Sequence, residues 1–258
     1  AQSGGAPESQ SAAEEAVEGI LPLPEYGGDF WERRYLTGDW GGTRADLAKK
    51  GLFFELEWTQ VVQGIVDGGR DERAEYHGSF DYVLNVDFQR MGLIPGALLK
   101  IRAESRYGES VNGQSGAILP VNTDAFFPLT DPGDEDIAIA LTELTYVQFL
   151  SRSFGVFLGK LQTLDGDPNE FAGGRGRSQF MNFNFIANGV GAVTVPYSTL
   201  GGGLLWMASP NITLQTTMML TTDSSTETGF HDFDDGWTSA TEAQFQYQLG
   251  TLPGGQNV

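Results

Sequence analysis

The sequence predicts an all-β protein, an antiparallel sheet of long two-faced strands with the proportions of a transmembrane β-barrel. Three observations carry this. Residues 79–107 hold two alternating runs joined by a turn, each about ten residues long, the length a tilted strand needs to cross the hydrocarbon layer of a bilayer. The connections between successive runs alternate long and short along the chain, as they do in barrels with short turns at one end and longer loops at the other. No run approaches the ~18 apolar residues of a membrane helix, so a bilayer-spanning chain of this composition must be a closed barrel. Taken alone, the hairpin favours a soluble sandwich with its aliphatic face in a core. The regular alternation of connection lengths decides for the barrel, because a sandwich has no reason to produce it.

Composition narrows the function classes. The 258 residues carry a net charge of -19 from 15 basic and 34 acidic side chains, which argues against nucleic acid as a partner and leaves no basic patch for anionic lipid. Cysteine is absent, so disulfides and thiolate metal sites are excluded, an absence that suits the periplasm and outer membrane.

Taken in order, residues 1–35 read as an acidic, flexible N-terminal arm containing Glu8, Glu14, Glu15, Glu18 and Glu25. Residues 36–258 form the strand-bearing region, opened by a short helix at about 43–50: Thr43 with Asp46 is a capping-box variant, Lys49 and Lys50 suit the negative end of the helix, and Gly51 suits a left-handed cap. The first strand, 53–66, sets Phe54, Leu56, Trp58 and Val62 against Glu55, Glu57, Thr59 and Gln63, and a polar loop follows over 67–78. In the hairpin, Phe80, Tyr82, Leu84, Val86 and Phe88 oppose Ser79, Asp81, Asn85, Asp87 and Gln89. Beyond the turn at 91–96, Leu99, Ile101, Ala103 and Tyr107 oppose Lys100, Arg102, Glu104 and Arg106. A period of two gives both strands one apolar and one polar face.

After a Gly-, Asn- and Pro-rich segment at 108–136 come strands 139–149 and 154–161, in which Leu141, Leu144, Tyr146, Val147 and Phe149 keep no single parity. The longest irregular stretch, 162–198, includes Asp165-Gly166-Asp167-Pro168, Gly173-Gly174-Arg175-Gly176-Arg177 and the run Phe180 to Phe185; loops this long are functional or disordered. Two further strands flank a turn at 209–211, the second setting Ile212, Leu214, Met218 and Leu220 against Thr213, Gln215, Thr217 and Thr221. After the acidic loop 223–236, Ala243, Phe245, Tyr247 and Leu249 alternate with Glu242, Gln244, Gln246 and Gln248. The count is about eight strands, and 254–258 reads as a turn-like tail.

The stretch Gly38-Asp39-Trp40-Gly41-Gly42-x-Arg44-x-x-Leu47-x-x-x-Gly51, followed at once by an aromatic alternating strand, resembles the N-terminal signature of the carbohydrate-selective porins of the OprB family. The Gly92-Leu93-x-Pro95-Gly96 turn, the strand end Leu158-Gly159-Lys160-Leu161 and Phe180-Met181-Asn182 support it. The resemblance implies an outer-membrane porin of about sixteen strands that passes mono- or oligosaccharides without a cofactor. It makes this chain the N-terminal part of such a barrel, in contact with outer-membrane lipid and compatible with a homo-oligomer. The alternatives are a general porin for small polar solutes and a soluble glycan-binding sandwich.

No catalytic constellation is present. His77 and His231 fall in loops rich in acids, Asp232, Asp234 and Asp235 beside His231 could bind a divalent cation through carboxylates but without an ordered loop geometry, and the glycine-rich stretch at 173–177 lacks the Lys-Ser/Thr ending and following helix of a phosphate loop. A sugar channel needs instead a lumen of hydrogen-bonding groups and a constriction. The inward faces offer Asp81, Asn85, Asp87, Lys100, Arg102, Glu104, Arg106, Glu242, Gln244 and Gln246. The loop 162–198 adds Arg175, Arg177, Asn182 and Asn184, and Phe180, Phe183 and Phe185 would be an unfavourable cluster in water. The loop is therefore expected to fold inward and narrow the lumen opposite Arg102, Glu104 and Arg106.

Overall fold

The computed structural model describes residues 18–129, 138–164, 174–187, 194–231, 233–249 and 252–257. Of the arm expected over 1–35, residues 1–17 lie outside the described residues. Ile20 and Leu21 are tied to the sheet through their backbone N–H groups, which donate to Asp87 Oδ2 at 2.7 and 3.0 Å.

The glycine-rich signature has a physical explanation. Trp40, Gly41 and Gly42 are all left-handed, with φ of 53°, 69° and 97°, and this tight coil delivers the chain into helix α1, Thr43–Lys49. Thr43 is the first helical residue and makes no cap. Asp39 does that work instead, its Oδ1 accepting from the Ala45 N–H at 2.7 Å, which satisfies one of the orphan donors of the first turn. Arg44 is buried, its guanidinium 4.2 Å from the ring centroids of Tyr26 and Tyr35 and 5.3 Å from that of Trp40, and it donates to the Phe54 carbonyl at 2.9 Å. Cation–π contacts of this desolvated kind contribute about 2 kcal/mol. Tyr26, Ala48 and Phe53 form a small core with Leu21, Tyr35 and Ala45, and burying Phe53 adds roughly 1.5–3 kcal/mol. Gly51, at φ 89°, takes the left-handed cap and turns the chain into the first strand.

Nine strands follow among the described residues: β1 Leu52–Gly64, β2 Ala74–Asp87, β3 Ala97–Gly108, β4 Ala140–Phe149, β5 Phe154–Gln162, β6 Ser198–Ser209, β7 Ile212–Leu220, β8 Trp237–Leu249 and β9 Leu252–Asn257. Each pairs antiparallel with its sequence neighbours in one sheet, with β1 and β9 at its edges. The tail expected as a turn supplies β9, whose backbone pairs Asn257 with Gln244 and Gly254 with Tyr247. Glycines carry no side-chain alternation, so this strand leaves no periodic trace in the sequence. β2 also starts earlier than expected, which moves His77 out of the loop and into the sheet.

One face of the sheet is apolar and open. Leu56, Trp58, Leu144, Leu158, Leu204, Trp206, Met218 and Tyr247 are each at least two-fifths exposed, and Trp58 stacks on Phe80 at 5.7 Å while donating to the Tyr107 hydroxyl at 2.7 Å. The other face curls around the interior: a cavity of about 400 Å³ is lined by side chains from β3 through β8, among them Lys100, Glu143, Phe157, Leu205, Gln215 and Glu242. The parity of β4 resolves at a bulge. Arg102 pairs with Glu143 but Ala103 with Leu141, so Thr142 is the extra residue. Leu141 and Leu144 then both face outward, 43% and 41% exposed, while Thr142 and Glu143 are both buried.

Short turns at 88–96, 150–153 and 210–211 lie at the end that holds α1, and the longer connections 65–73, 109–139, 163–197 and 221–236, as far as their residues are described, leave and rejoin the sheet at the other. Two of these loops carry short helices, α2 Asn112–Ser115 and α3 Phe183–Ile186.

Candidate functional site

The inner faces of β2 and β3 meet two of the long loops in a lattice of paired charges. Antiparallel register sets Asp81 opposite Glu104 and Val83 opposite Arg102, so two carboxylates and a guanidinium arise side by side from adjacent strands. Like charges facing each other across a ladder are unfavourable, and the loop 163–197 supplies the counter-ions. Gly174, Arg175 and Gly176 are all left-handed, with φ of 69°, 52° and 79°. This curl presents the Arg175 and Arg177 side chains to the sheet. Gly176 is also required by space, since a Cβ there would stand 2.9 Å from Thr123 Cβ of the neighbouring loop.

Asp81 is the hub. Its Oδ1 accepts from Arg175 Nη1 at 3.0 Å and Arg102 Nη1 at 3.3 Å, and its Oδ2 pairs with Arg177. Arg175 also pairs with Glu104 and with the Tyr197 hydroxyl, and Tyr197 lies 2.8 and 2.7 Å from the two Glu104 oxygens. Arg177 extends to Asp124 Oδ1 at 3.5 Å and Glu57 Oε2 at 3.7 Å. Glu143 accepts from Lys100 at 2.9 Å and faces Arg102 Nε at 3.8 Å. Arg106 donates to the Ala125 carbonyl at 2.7 Å. Burial drives the Arg177 pKa down and Glu57 opposes that shift; burial likewise drives the Tyr197 pKa up, so Tyr197 acts as a neutral hydroxyl donor to Glu104.

The two loops are pinned to each other as well as to the sheet. Thr123 N and Oγ1 both donate to the Met181 carbonyl at 2.8 Å, and Phe183 N donates to the Pro120 carbonyl at 3.0 Å. Phe183 is 2% exposed, and Phe127 stacks on Tyr197 with centroids 4.3 Å apart and planes 11° from parallel. Phe180 and Phe185 contact one another at 5.2 Å but stay 49% and 61% exposed. Asn182 caps α3, its Oδ1 accepting from Asn184 N at 3.0 Å and Asn184 Nδ2 at 2.9 Å.

Two cavities lie near the lattice. On the long-loop side lies a cavity of about 680 Å³ lined by Leu119, Phe126, Phe127, Phe183 and Tyr197. On the short-turn side lies one of about 360 Å³ lined by Glu55, Glu57, Asn85, Lys100, Arg102, Arg175 and Arg177. Tyr197 lines the first, Arg175 lines the second, and both line a small void together with Glu104.

The structure therefore brings Asp81, Lys100, Arg102, Glu104, Arg106, Arg175 and Arg177 together around loop 163–197. It sets Asp87 elsewhere: fully buried at the short-turn end, Asp87 holds the N-terminal segment and accepts from Arg90 N at 2.9 Å. Asn182 and Asn184 organise α3 and do not reach the lattice. Asp124, Tyr197 and Glu143 belong to it without having been singled out by sequence. His77, expected as a surface loop residue, is buried in β2 with Nε2 3.2 Å from Asp124 Oδ2, and Ser79 donates to the same carboxylate at 2.8 Å. His231 lies exposed beside Glu227 at 2.8 Å. Residues 165–173 and Asp232 fall outside the described residues, among which no group of three or more His, Cys, Asp or Glu could hold a metal.

An antiparallel meander with an apolar outer face, a charged inner face and loops folded against that inner face is the wall of a porin-type β-barrel. The model of the carbohydrate-selective porins, OprB family, matches residues 71–258, and the chain belongs to that family. Two structures of Pseudomonas putida OprB are similar to it. The high-pH form gives a TM-score of 0.67 at 24% identity over 86% of this chain and 54% of that one. The low-pH form gives 0.53 at 18% identity over 88% of this chain and 60% of that one. The chain thus spans less than two thirds of the length of either. Among curated proteins, none matches.

Proposed function

We propose that this chain forms part of the wall and constriction of an outer-membrane channel through which carbohydrates diffuse passively. The short turns face the periplasm, the long loops face outward, and the apolar sheet face meets lipid. The observation that carries the reading is the charge lattice: Lys100, Arg102, Arg175 and Arg177 are each set against a carboxylate around a polar cavity. Paired charges present strong donors and acceptors to hydroxyl groups while keeping the local field small, which suits a neutral polyhydroxylated solute better than an ion. Loop 163–197 is the constriction in this reading, with Arg175 and Arg177 as its contact residues.

The test uses the whole porin chain in planar bilayers and vesicles. Sugar added to the bath is expected to lower single-channel conductance, and Arg175→Ala with Arg177→Ala is expected to raise conductance and weaken that block. Conductance indifferent to sugar in the unaltered protein would favour a general porin for small polar solutes. Unchanged conductance and selectivity in a folded double variant would remove the pair from the constriction.

A further inference from the structure

The N-terminal segment carries apolar side chains that the porin reading does not use. Phe30 and Trp31 occupy the tip of a turn fixed from within: the Asp29 carbonyl accepts from Glu32 N at 3.1 Å and Arg33 N at 2.9 Å, and Asp29 Oδ1 accepts from Trp31 N at 2.9 Å. An ordered turn of this kind holds its tip residues in a defined direction. Yet Trp31 is 87% exposed, Phe30 50%, Leu36 72% and Trp40 45%. Single exposed apolar residues are ordinary, but several large ones on one short ordered segment mark a surface that something covers.

The occupant is indicated by what the segment joins. Trp40 lies 6.4 Å from Phe54, centroid to centroid, and Phe54 pairs with Leu84 in register on the apolar outer face of β1. The same stretch that packs Tyr26 and Tyr35 around Arg44 therefore comes round to the apolar outer face at the short-turn end. Arg33 sits 5.1 Å above the Phe30 ring, and Arg34 5.6 Å above that of Tyr35. Aromatic bodies with cationic heads beside them are the chemistry of the membrane–water boundary, where indole and phenyl rings favour the headgroup layer. Asp29 and Glu32 share the turn with the two arginines, so the segment carries both signs and matches a zwitterionic surface.

We propose that residues 29–40 are an interfacial foot, with Phe30, Trp31, Leu36 and Trp40 seated in the headgroup layer of the leaflet at the short-turn end. The foot continues the outer apolar face sideways beneath β1 and sets the depth of the sheet in the bilayer. It rests on the membrane reading above, and the test separates the two. The whole porin chain is reconstituted in zwitterionic vesicles whose acyl chains are brominated close to the headgroup, and tryptophan emission is compared between the unaltered protein and Trp31→Phe. A parallel comparison with Trp206→Phe isolates a tryptophan on the outer face of β6. The Trp31 component is expected to lose most of its emission to the bromolipid and to be shielded from aqueous acrylamide. If acrylamide quenches it and bromolipid does not, while the Trp206 component responds to bromolipid, the foot stands in water and the proposal is overturned. Shielding from both quenchers would mean protein covers the turn, which also overturns it. If the Trp206 component escapes bromolipid as well, the membrane reading itself fails.

Discussion

The inner face of β1–β4 and that of β5–β8 belong to one antiparallel sheet, yet they differ in kind. The first carries Glu57, Asp81, Lys100, Arg102, Glu104 and Glu143 and is covered by loops 109–139 and 163–197 through ion pairs. The second carries Phe157, Leu161, Leu205, Gln215, Thr217 and Met219 around an open cavity, and β6 runs through three glycines, Gly201, Gly202 and Gly203, that leave room for Phe157 and Leu161. The clustered charges of the first half hold two loops through ion pairs. The cavity of the second is lined mainly by amides, hydroxyls and apolar groups with Glu242 among them, and its buried Lys160 reaches the loop 221–236 through the Glu227 carbonyl. In the channel proposed above, the first half would set the width and the second would offer the surface along which a solute moves.

Removing the hub should break this contrast most severely. Asp81→Ala leaves Arg102, Arg175 and Arg177 buried around a missing carboxylate, and losing one partner of a buried pair costs about 3–5 kcal/mol. Denaturant unfolding in detergent should show that loss together with a rise in conductance; a stable variant of unaltered conductance would mean the loop does not depend on Asp81. Next in size, Leu84→Arg on the outer face should cost about 2–4 kcal/mol near the membrane midplane. Asn85→Arg, one residue along and facing inward, should be far milder, and equal losses on folding into vesicles would erase the two-faced assignment. In the second half, Gly203→Ala would set a methyl group against the Thr216 carbonyl oxygen and 2.6 Å from Phe157 Cζ and should destabilise by about 1–3 kcal/mol through overpacking, without changing sugar block by way of the loop. The smallest effect belongs to Gln215→Ala. Gln215 Nε2 reaches Thr217 Oγ1 at a long 3.3 Å, so the stability change should stay below about 1 kcal/mol, and any effect should fall on sugar conductance instead.

What could be read from the residues followed their locality. The two faces of β1, β2, β3 and β8 show as period two, and the helix at 43–49 shows through Gly51 and the lysines before it. β4 could not be assigned because one inserted residue, Thr142, reverses the parity halfway, and a bulge has no signature of its own in an apolar run. The charge lattice was half legible. Arg102, Glu104, Arg175 and Arg177 stand out as charges within patterned or glycine-rich stretches, whereas Asp124 and Tyr197 sit in irregular segments whose partners are 45 and 93 residues away. His77 was misplaced for a simpler reason: β2 opens with Ala74-Glu75-Tyr76-His77-Gly78, which alternates too weakly to be told from a loop.

The Arg175–Asp81 contact spans 94 residues of chain, and that distance bears on the order of assembly. β2 and β3 zip together through a tight turn, a local event, whereas docking Arg175 must wait until strands β3 to β5 have paired and carried the loop into reach. The docking of Arg175 on Asp81 is thus a late contact that adds nothing to the early hairpins. Run backwards, the same logic gives a graded failure: mild denaturant should free the loop while the backbone ladders hold, so that single-channel current grows before the strands separate. In the channel proposed above, selectivity would then be lost first and the wall last.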